Sequence, residues 1–129
     1  MKLVNLTFIC VLFFQFLEIK NSNVLAPLQQ LYKAKGKASY YANKFNKRKT
    51  SSGEIFYNDS LTAAHKTLPF GTMLKVTNLS NDSVVVVRVN DRLPKKSSRI
   101  IDLSRAAARK LNFIAKGLTQ VYLEEIVKK

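Results

Sequence analysis

Hydrophobic and polar residues alternate with a period of two along short segments of this chain. Residues 73–79 alternate in this way, and residues 84–89 form an apolar run that begins with four consecutive valines. Between them, residues 80–83 read Ser-Asn-Asp-Ser, a composition typical of a hairpin turn. The pattern therefore predicts two antiparallel strands, of which the second is buried.

Three further segments predict short strands, at residues 37–41, 99–103 and 118–127. Ser104 follows the second of these and precedes a run of strong helix formers, so it predicts the N-cap of a short helix that ends near Leu111. Five or six short strands with one short helix predict a small β-barrel. The periodicity alone indicates no particular type of barrel.

A long polar stretch and two short segments complete this part of the chain. Residues 44–59 are rich in polar and turn-forming residues and predict a long loop, which in a compact domain is often functional. Residues 61–65 are small, and residues 68–72, Leu-Pro-Phe-Gly-Thr, predict a tight turn.

The N-terminal residues have the pattern of an export signal. One early lysine precedes an apolar run over residues 3–17, and a polar segment follows. This predicts a secretory signal peptide over residues 1–22, with an uncleaved N-terminal anchor as the alternative. We expect a linker over residues 23–35 and one domain over residues 36–127.

Cys10 is the only cysteine, and it lies inside the apolar run without the small residues that precede a lipidated cysteine. We therefore expect an exported periplasmic or cell-envelope protein that is not a lipoprotein. Removal of the signal would leave no cysteine, which excludes disulfides and thiol chemistry from the mature chain.

The net charge of +14 favours a polyanionic partner, such as nucleic acid, anionic lipid or an acidic wall polymer. Export would make nucleic acid the least expected of the three, and we predict none as a partner. The alternative is that the lysines only form a solvated surface.

The chain contains few residues able to perform acid–base chemistry. His65 is the only histidine, so no histidine-based metal cluster is expected. A nucleophilic serine with His65 and Asp91 has no G-x-S-x-G motif to support it. Among the acidic residues, Asp102 lies where a role at the start of the helix is expected. Glu54, in the long loop, and Asp91, at a strand end, remain as catalytic candidates.

Four motifs in order resemble one known family. They are T-x-S-G-E at residues 50–54, L-T-A-A-H-x-T-L-P-F-G-T at residues 61–72, V-x-V-N-D-R at residues 87–92, and R-I-I-D-L-S-x-A-A-A at residues 99–108. In this combination the chain resembles the rare lipoprotein A family of peptidoglycan lytic transglycosylases. The resemblance implies a mostly β fold, a six-stranded double-psi β-barrel with one or two short helices, similar to expansin and endoglucanase domains.

The resemblance also implies the site and its chemistry. The functional residues of the family fall on Asp91, His65 and Glu54, which should converge on one groove. A lytic transglycosylase uses the 6-hydroxyl of N-acetylmuramic acid (MurNAc) in place of water, so one carboxyl group acts first as acid and then as base. Asp91 takes this role, His65 hydrogen-bonds the carboxylate or the substrate, and Glu54 assists in positioning or charge stabilisation.

We expect the substrate to contact the side chains of Tyr41, Thr62, Asn90 and Arg92. Sugar-stacking faces are available from several aromatic residues, although a core role is as good an explanation for them: Tyr40, Tyr41, Phe45 and Phe56. A general acid needs a raised pKa, whereas an arginine facing Asp91 would lower it. Strand alternation predicts that Arg88 points away from Asp91.

The expected function is endolytic cleavage of the bond between MurNAc and N-acetylglucosamine (GlcNAc), with 1,6-anhydro products and a preference for strands lacking stem peptides. No cofactor, no metal, no membrane insertion after signal cleavage and a monomer are expected. Leu93 departs from the family, which has glycine there. Because glycine adopts backbone angles that leucine does not, Leu93 favours the alternative of a non-catalytic, expansin-like glycan-binding module.

Overall fold

The computed structural model describes residues 29–127, and the expected signal peptide lies outside them. The elements in chain order are β1 Lys33–Tyr40, a 3-10 turn Asn43–Phe45, β2 Thr62–His65, β3 Met73–Asn78, β4 Val84–Arg92, β5 Arg99–Leu103, α1 Arg105–Lys110 and β6 Thr119–Ile126. The six strands close into a barrel in the order β1-β5-β2-β4-β3-β6. The prediction of a mostly β, six-stranded barrel is confirmed.

Two strand pairs of the barrel are parallel, β1 with β5 and β2 with β4, and the other four are antiparallel. Parallel neighbours cannot be joined by a hairpin, so the chain crosses over between them. The first crossover carries the long loop, residues 44–59. Neighbouring strands of the barrel therefore come from distant parts of the sequence. The loops that connect them meet at one side of the barrel.

The barrel interior is filled by alternating aliphatic side chains. On β4 the exposed fraction alternates, with Val85, Val87 and Val89 at 5 % or less. The segment 61–65 contains β2, Thr62–His65, whose four residues are all buried and which lies between β5 and β4. Leu74, Leu103 and Leu123 complete the packing from other strands.

Two boundaries differ from the predicted ones. Three residues assigned to the linker, 33–35, belong to β1, because they pair with β6 and their lysine side chains project from the exposed face. Gly36 in the same strand leaves room for β5 on the other side: a Cβ atom there would lie 2.6 Å from Ile100 Cγ2. The buried strand also continues past the predicted end at residue 89, so β4 includes Asp91 and Arg92.

The predicted helix cap is present in α1. Ser104 Oγ accepts a hydrogen bond from the backbone N–H of Ala107 at 3.3 Å, which satisfies one of the free donors of the first turn. Lys110 ends the helix, and Asn112 follows it with φ at 53°. The helix packs its two buried residues, Ala107 and Ala108, against the barrel core.

Candidate active site

An open groove of about 580 Å³ lies where the ends of β1, β2, β4 and β5 meet. Its lining combines aromatic, basic and acidic side chains: Ser39, Tyr40, Tyr41, Ala42, Phe45, Lys49, Ala64, Asp91, Arg92, Leu93, Pro94, Arg99 and Asp102. Three of the seven predicted site residues belong to this lining, namely Tyr41, Asp91 and Arg92.

The strand β2 separates two carboxylates in this groove. Ala64 pairs with Asp91 of β4 on one side and with Asp102 of β5 on the other. Because the side chain of Ala64 is a single methyl group, the space between the two acidic side chains stays open.

The carboxylate of Asp91 accepts three hydrogen bonds. Its Oδ1 accepts from the backbone N–H groups of Ser51 at 2.9 Å and Arg92 at 2.8 Å, and its Oδ2 accepts from the hydroxyl of Tyr41 at 2.5 Å. All three donors are uncharged groups. The side chain is therefore oriented without an ion pair.

These contacts determine the ionisation of both partners. Partial burial alone would raise the pKa of Asp91, but the hydrogen bonds from Tyr41, Ser51 and Arg92 together outweigh it and lower that pKa. Burial and the nearby Asp91 carboxylate raise the pKa of the Tyr41 phenol well above its usual range. Tyr41 therefore stays protonated and acts as a hydrogen-bond donor.

Neither neighbouring arginine side chain pairs with Asp91. Arg88 points away, as strand alternation predicts, and binds Glu54. The guanidinium of Arg92 lies 4.1 Å from the centroid of the Phe70 ring, and its Nη1 donates to the carbonyl of His65 at 3.4 Å. The low pKa of Asp91 thus comes from hydrogen bonds and not from the arginine charges that the sequence suggested.

Asp102 lies in the groove, and its expected role at the start of the helix is wrong. Its Oδ1 accepts from Ser39 Oγ and from Arg99 Nε, both at 2.7 Å, and its Oδ2 accepts from Arg99 Nη2 at 3.1 Å. The helix instead has Ser104 at its N-cap and no acidic residue in its first turn. In the sequence, Arg99 and Asp102 lie three residues apart in a predicted strand, and this spacing does not by itself indicate an ion pair.

His65 is buried, with 3 % of its surface exposed, and it does not line the groove. Its Nδ1 accepts from the backbone N–H groups of Thr67 and Leu68, both at 3.1 Å, and its Nε2 lies 3.1 Å from the hydroxyl of Tyr32. A neutral ring that accepts at Nδ1 carries its proton on Nε2, which therefore donates to Tyr32.

The predicted hydrogen bond from His65 to the Asp91 carboxylate is absent, because both ring nitrogens have these other partners. Burial, reinforced by the charges of Arg92 and Lys66, lowers the pKa of His65 to about 4. The ring is therefore neutral at neutral pH. Its contacts fix the turn that carries Phe70, on which Arg92 stacks.

Glu54 is likewise outside the groove lining. Its carboxylate binds both terminal nitrogens of Arg88, at 2.6 and 2.8 Å, and accepts from Asn90 Nδ2 at 3.3 Å. These hydrogen bonds lower the pKa of Glu54. Glu54 is therefore an anion that faces a cation on the outer side of β4.

The structure gives the predicted substrate contacts different positions. Tyr41 and Arg92 border the groove, whereas Thr62 and Asn90 are buried behind it with 5 % and 2 % of their surfaces exposed. Among the aromatic candidates, Phe45 lines the groove with 37 % exposed, and its ring packs edge-on against Tyr41 at 5.8 Å. Phe56 is buried beneath Tyr41.

Leu93 takes a backbone conformation that does not require glycine. It is not among the described non-glycine residues with positive φ, which are Lys47, Asp82 and Asn112. Its side chain is buried with 4 % exposed, and its N–H lies 3.4 Å from the carbonyl of His65. The leucine therefore packs beside Asp91 without distorting the strand end.

Residues 29–127 lack two kinds of feature. This part of the chain has no cluster of three or more potential metal ligands from histidine, cysteine or acidic side chains. It also has no helix long and apolar enough to span a membrane.

The chain is similar in sequence to proteins of known name. Over 93 residues, the chain is 55 % identical to the endolytic peptidoglycan transglycosylase RlpA of Campylobacter jejuni, a match that covers 72 % of this chain and 34 % of that protein. The protein of the same name from Neisseria meningitidis serogroup A is 51 % identical over 92 residues, with 71 % and 38 % covered. The matched region thus spans only about a third of these relatives.

Among solved structures, the apo expansin of Clavibacter michiganensis has a TM-score of 0.62 at 19 % identity, which shows a shared fold. The match covers 76 % of this chain and 52 % of the expansin. A family model described as lytic transglycolase matches residues 33–123, nearly the whole of the barrel. The chain therefore belongs to the lytic transglycolase family.

Proposed function

We propose that this domain is an endolytic peptidoglycan lytic transglycosylase that cleaves the glycosidic bond between MurNAc and GlcNAc and leaves a 1,6-anhydro end. The observation that carries the proposal is Asp91, a carboxylate oriented by three uncharged donors on an open groove. The names of the relatives from Campylobacter and Neisseria support the same reaction. An open groove suits internal cleavage of a polymer.

In the proposed reaction, Asp91 acts from its protonated form, which its lowered pKa makes the minor form at neutral pH. Because Oδ1 accepts two backbone N–H groups, the proton is carried on Oδ2. It moves to the glycosidic oxygen as the bond from MurNAc C1 to that oxygen breaks, and the MurNAc 6-hydroxyl oxygen bonds to C1. The hydroxyl proton returns to Asp91, so the carboxyl group is regenerated and no water is consumed.

The other groove carboxylate is less suited to this role. Asp102 already binds the guanidinium of Arg99 through both oxygens and also accepts from Ser39, so neither oxygen is free of a fixed partner on the protein. In the proposed complex, Tyr41 orients Asp91, Arg92 borders the strand, and the exposed ring of Phe45 stacks on a sugar. Thr62 and Asn90 support the groove from behind.

Cationic residues in and near the groove support a preference for strands without stem peptides. Lys49, Arg92 and Arg99 line the groove. The segments that contain them, residues 43–49 and 92–99, hold eight cationic residues in all and no acidic residue. Removal of the stem peptide converts the lactyl amide of MurNAc into a free carboxylate. A denuded strand therefore carries a carboxylate on the glycan itself, one per disaccharide, where a peptide-bearing strand has an uncharged amide.

The direct test is product analysis. Purified protein is incubated with amidase-treated glycan, and mass spectrometry measures 1,6-anhydro ends, which we expect from wild type and not from Asp91→Asn. Peptide-bearing strands and neutral chitin oligosaccharides serve as comparison substrates, and we expect both to bind more weakly. Reducing ends derived from water would instead indicate a hydrolase, and binding without cleavage would indicate the expansin-like alternative.

We also propose that the chain is exported to the cell envelope through residues 1–22 and acts there as a monomer. The action of related enzymes on peptidoglycan, as their names state, supports this location. N-terminal sequencing of protein recovered from the envelope fraction tests the cleavage, and light scattering tests the oligomeric state.

A further inference from the structure

The long loop is anchored at its base and at its tip. At the base, the N–H of Lys47 donates to the carbonyl of Phe56 at 2.7 Å, and the N–H of Phe56 donates to the carbonyl of Arg48 at 2.8 Å. At the tip, Thr50 N–H donates to the Glu54 carbonyl at 2.8 Å, which closes a tight turn. These hydrogen bonds all lie within the loop, so the position of the tip relative to the barrel depends on its contacts with the barrel.

The tip, residues 50–54, contacts β4 through side chains and backbone. The Glu54 carboxylate binds both terminal nitrogens of Arg88, at 2.6 and 2.8 Å, and accepts from Asn90 Nδ2 at 3.3 Å. In addition, the N–H of Ser52 donates to the carbonyl of Asn90 at 3.3 Å. Two parallel hydrogen bonds between a guanidinium and a carboxylate fix both distance and orientation.

The same tip reaches Asp91. Arg88 and Asn90 both bind Glu54 and so present their side chains to the same side of β4, and Asp91 follows at an irregularity in the pairing with β2. The turn crosses the end of the strand, and the N–H of Ser51 donates to Asp91 Oδ1 at 2.9 Å. Glu54 is therefore three residues from a group that holds Asp91, although Glu54 itself does not line the groove.

We propose that Glu54 is a positioning residue, which acts with Arg88 to hold the 50–54 turn so that the Ser51 N–H remains on Asp91. This inference deepens the proposed function and rests on it for its effect on catalysis. In this arrangement Glu54 touches neither the glycan nor the reacting atoms, and Arg88, which no motif singled out as functional, matters as much as Glu54.

The ion pair contributes little to global stability. The side chains of Arg88 and Glu54 are 35 % and 46 % exposed, and exposed ion pairs add little to the free energy of folding. Variants of either residue should therefore fold. The effect of losing the pair should appear in the position of the 50–54 turn and hence in the hydrogen bonding of Asp91.

The first experiment measures the pKa of Asp91 directly, by ¹³C NMR of its carboxyl carbon, in wild type, Glu54→Ala, Arg88→Ala and the double variant. Loss of the Ser51 N–H removes a donor that stabilises the carboxylate, so all three variants should raise this pKa by about 0.5 to 1 unit. The double variant should equal either single variant because the two residues act as a unit. None of these substitutions replaces the other charged or titratable side chains that line the groove: Tyr41, Lys49, Arg92, Arg99 and Asp102.

The second experiment measures kcat/KM on denuded glycan against pH. We expect kcat/KM of each single variant to fall by about 10- to 100-fold because Asp91 is misplaced. The limb of the pH profile that reports the ionisation of Asp91 should also move to higher pH. The charge-swapped pair Glu54→Arg with Arg88→Glu should recover most of the rate and the wild-type profile. Lys75→Glu, which breaks another exposed ion pair on β3 and β6, is the control and should change neither quantity.

Two results would overturn the proposal. One is an unchanged Asp91 pKa in Glu54→Ala and Arg88→Ala. The other is loss of activity in Glu54→Ala while Arg88→Ala keeps wild-type activity, which would give Glu54 a direct role on the substrate. The NMR titration does not depend on turnover, so it tests the positioning role even if wild type yields no 1,6-anhydro product and the proposed function fails.

Discussion

Asp91 and Asp102 lie on the same groove, one on each side of Ala64, yet their surroundings differ. Asp91 receives a phenol hydroxyl and two backbone N–H groups, all uncharged. Asp102 receives the guanidinium of Arg99 and the hydroxyl of Ser39. The first carboxylate is oriented by dipoles, and the second is neutralised by a full charge.

This difference indicates how one groove can hold two carboxylates with separate tasks. Neutral donors orient an acid while leaving it free to exchange a proton with a substrate. An ion pair occupies the oxygens of the carboxylate and, in return, orients the arginine that borders the groove. Asp91 is thus the acid–base candidate, and the Asp102–Arg99 pair is a fixed element of the groove wall.

Substitution of the two carboxylates should separate these roles most strongly. Asp91→Asn cannot exchange a proton, so we expect kcat/KM on denuded glycan to fall by at least about 10³-fold. Asp102→Asn still accepts hydrogen bonds from Ser39 and Arg99, so its loss should be about 10-fold or less. A loss in Asp102→Asn equal to that in Asp91→Asn would contradict the assignment.

Shortening Leu93 tests how much the packing of its side chain contributes to the free energy of unfolding. Removal of a buried leucine side chain leaves a cavity, so Leu93→Ala should lower the free energy of unfolding by about 2–4 kcal/mol in a denaturant titration. Leu118→Ala, at a position that is 49 % exposed, is the control and should change stability by less than about 0.5 kcal/mol. Equal effects at both positions would mean that Leu93 does not pack in the core.

Removal of the Tyr41 hydroxyl should make Asp91 easier to protonate. Tyr41→Phe deletes a donor to the carboxylate and so raises the pKa of Asp91, which moves the falling limb of kcat/KM to higher pH by about one unit. Tyr40→Phe is the matched control, because the Tyr40 hydroxyl donates to the carbonyl of Ile114. An unmoved limb in Tyr41→Phe would show that this hydroxyl does not tune Asp91.

The smallest expected effect is on acid stability. The folded-state pKa of Asp91 lies below its reference value of 3.8, so its carboxylate stabilises the fold above about pH 4, and this contribution is lost as the pH falls through the lowered pKa. The difference in melting temperature between wild type and Asp91→Asn should therefore narrow between pH 5 and about pH 2.5. Asp59→Asn, which replaces a carboxylate with 91 % exposure, should show no such narrowing.

Local patterns in the sequence predicted much of the barrel. The alternation in β3, the valine run of β4 and the cap at Ser104 depend on neighbouring residues, and all three appear in the structure. The start of β1 was missed, because its lysines resemble a polar linker and only pairing with β6 makes them a strand.

The site was predicted in part. The strand pattern put Asp91 at a strand end, and the structure has it near the end of β4, on an open groove. The motif resemblance implied that His65 hydrogen-bonds the Asp91 carboxylate or the substrate, whereas in the structure the ring is turned to Tyr32 and to two backbone N–H groups. Asp102 was assigned to the helix because it lies two residues before Ser104, and one of its partners in the groove, Ser39, is 63 residues away.

The sequence by itself therefore determined the strands, the helix cap and the identity of the residues able to carry chemistry, since these follow from local spacing and composition. Only the tertiary structure decided which donor each carboxylate received. Tyr41 and Ser51 lie 50 and 40 residues from Asp91, and they reach it because the parallel crossovers bring distant loops to one side of the barrel. The charge state of a carboxylate depends on such neighbours, which no local pattern specifies.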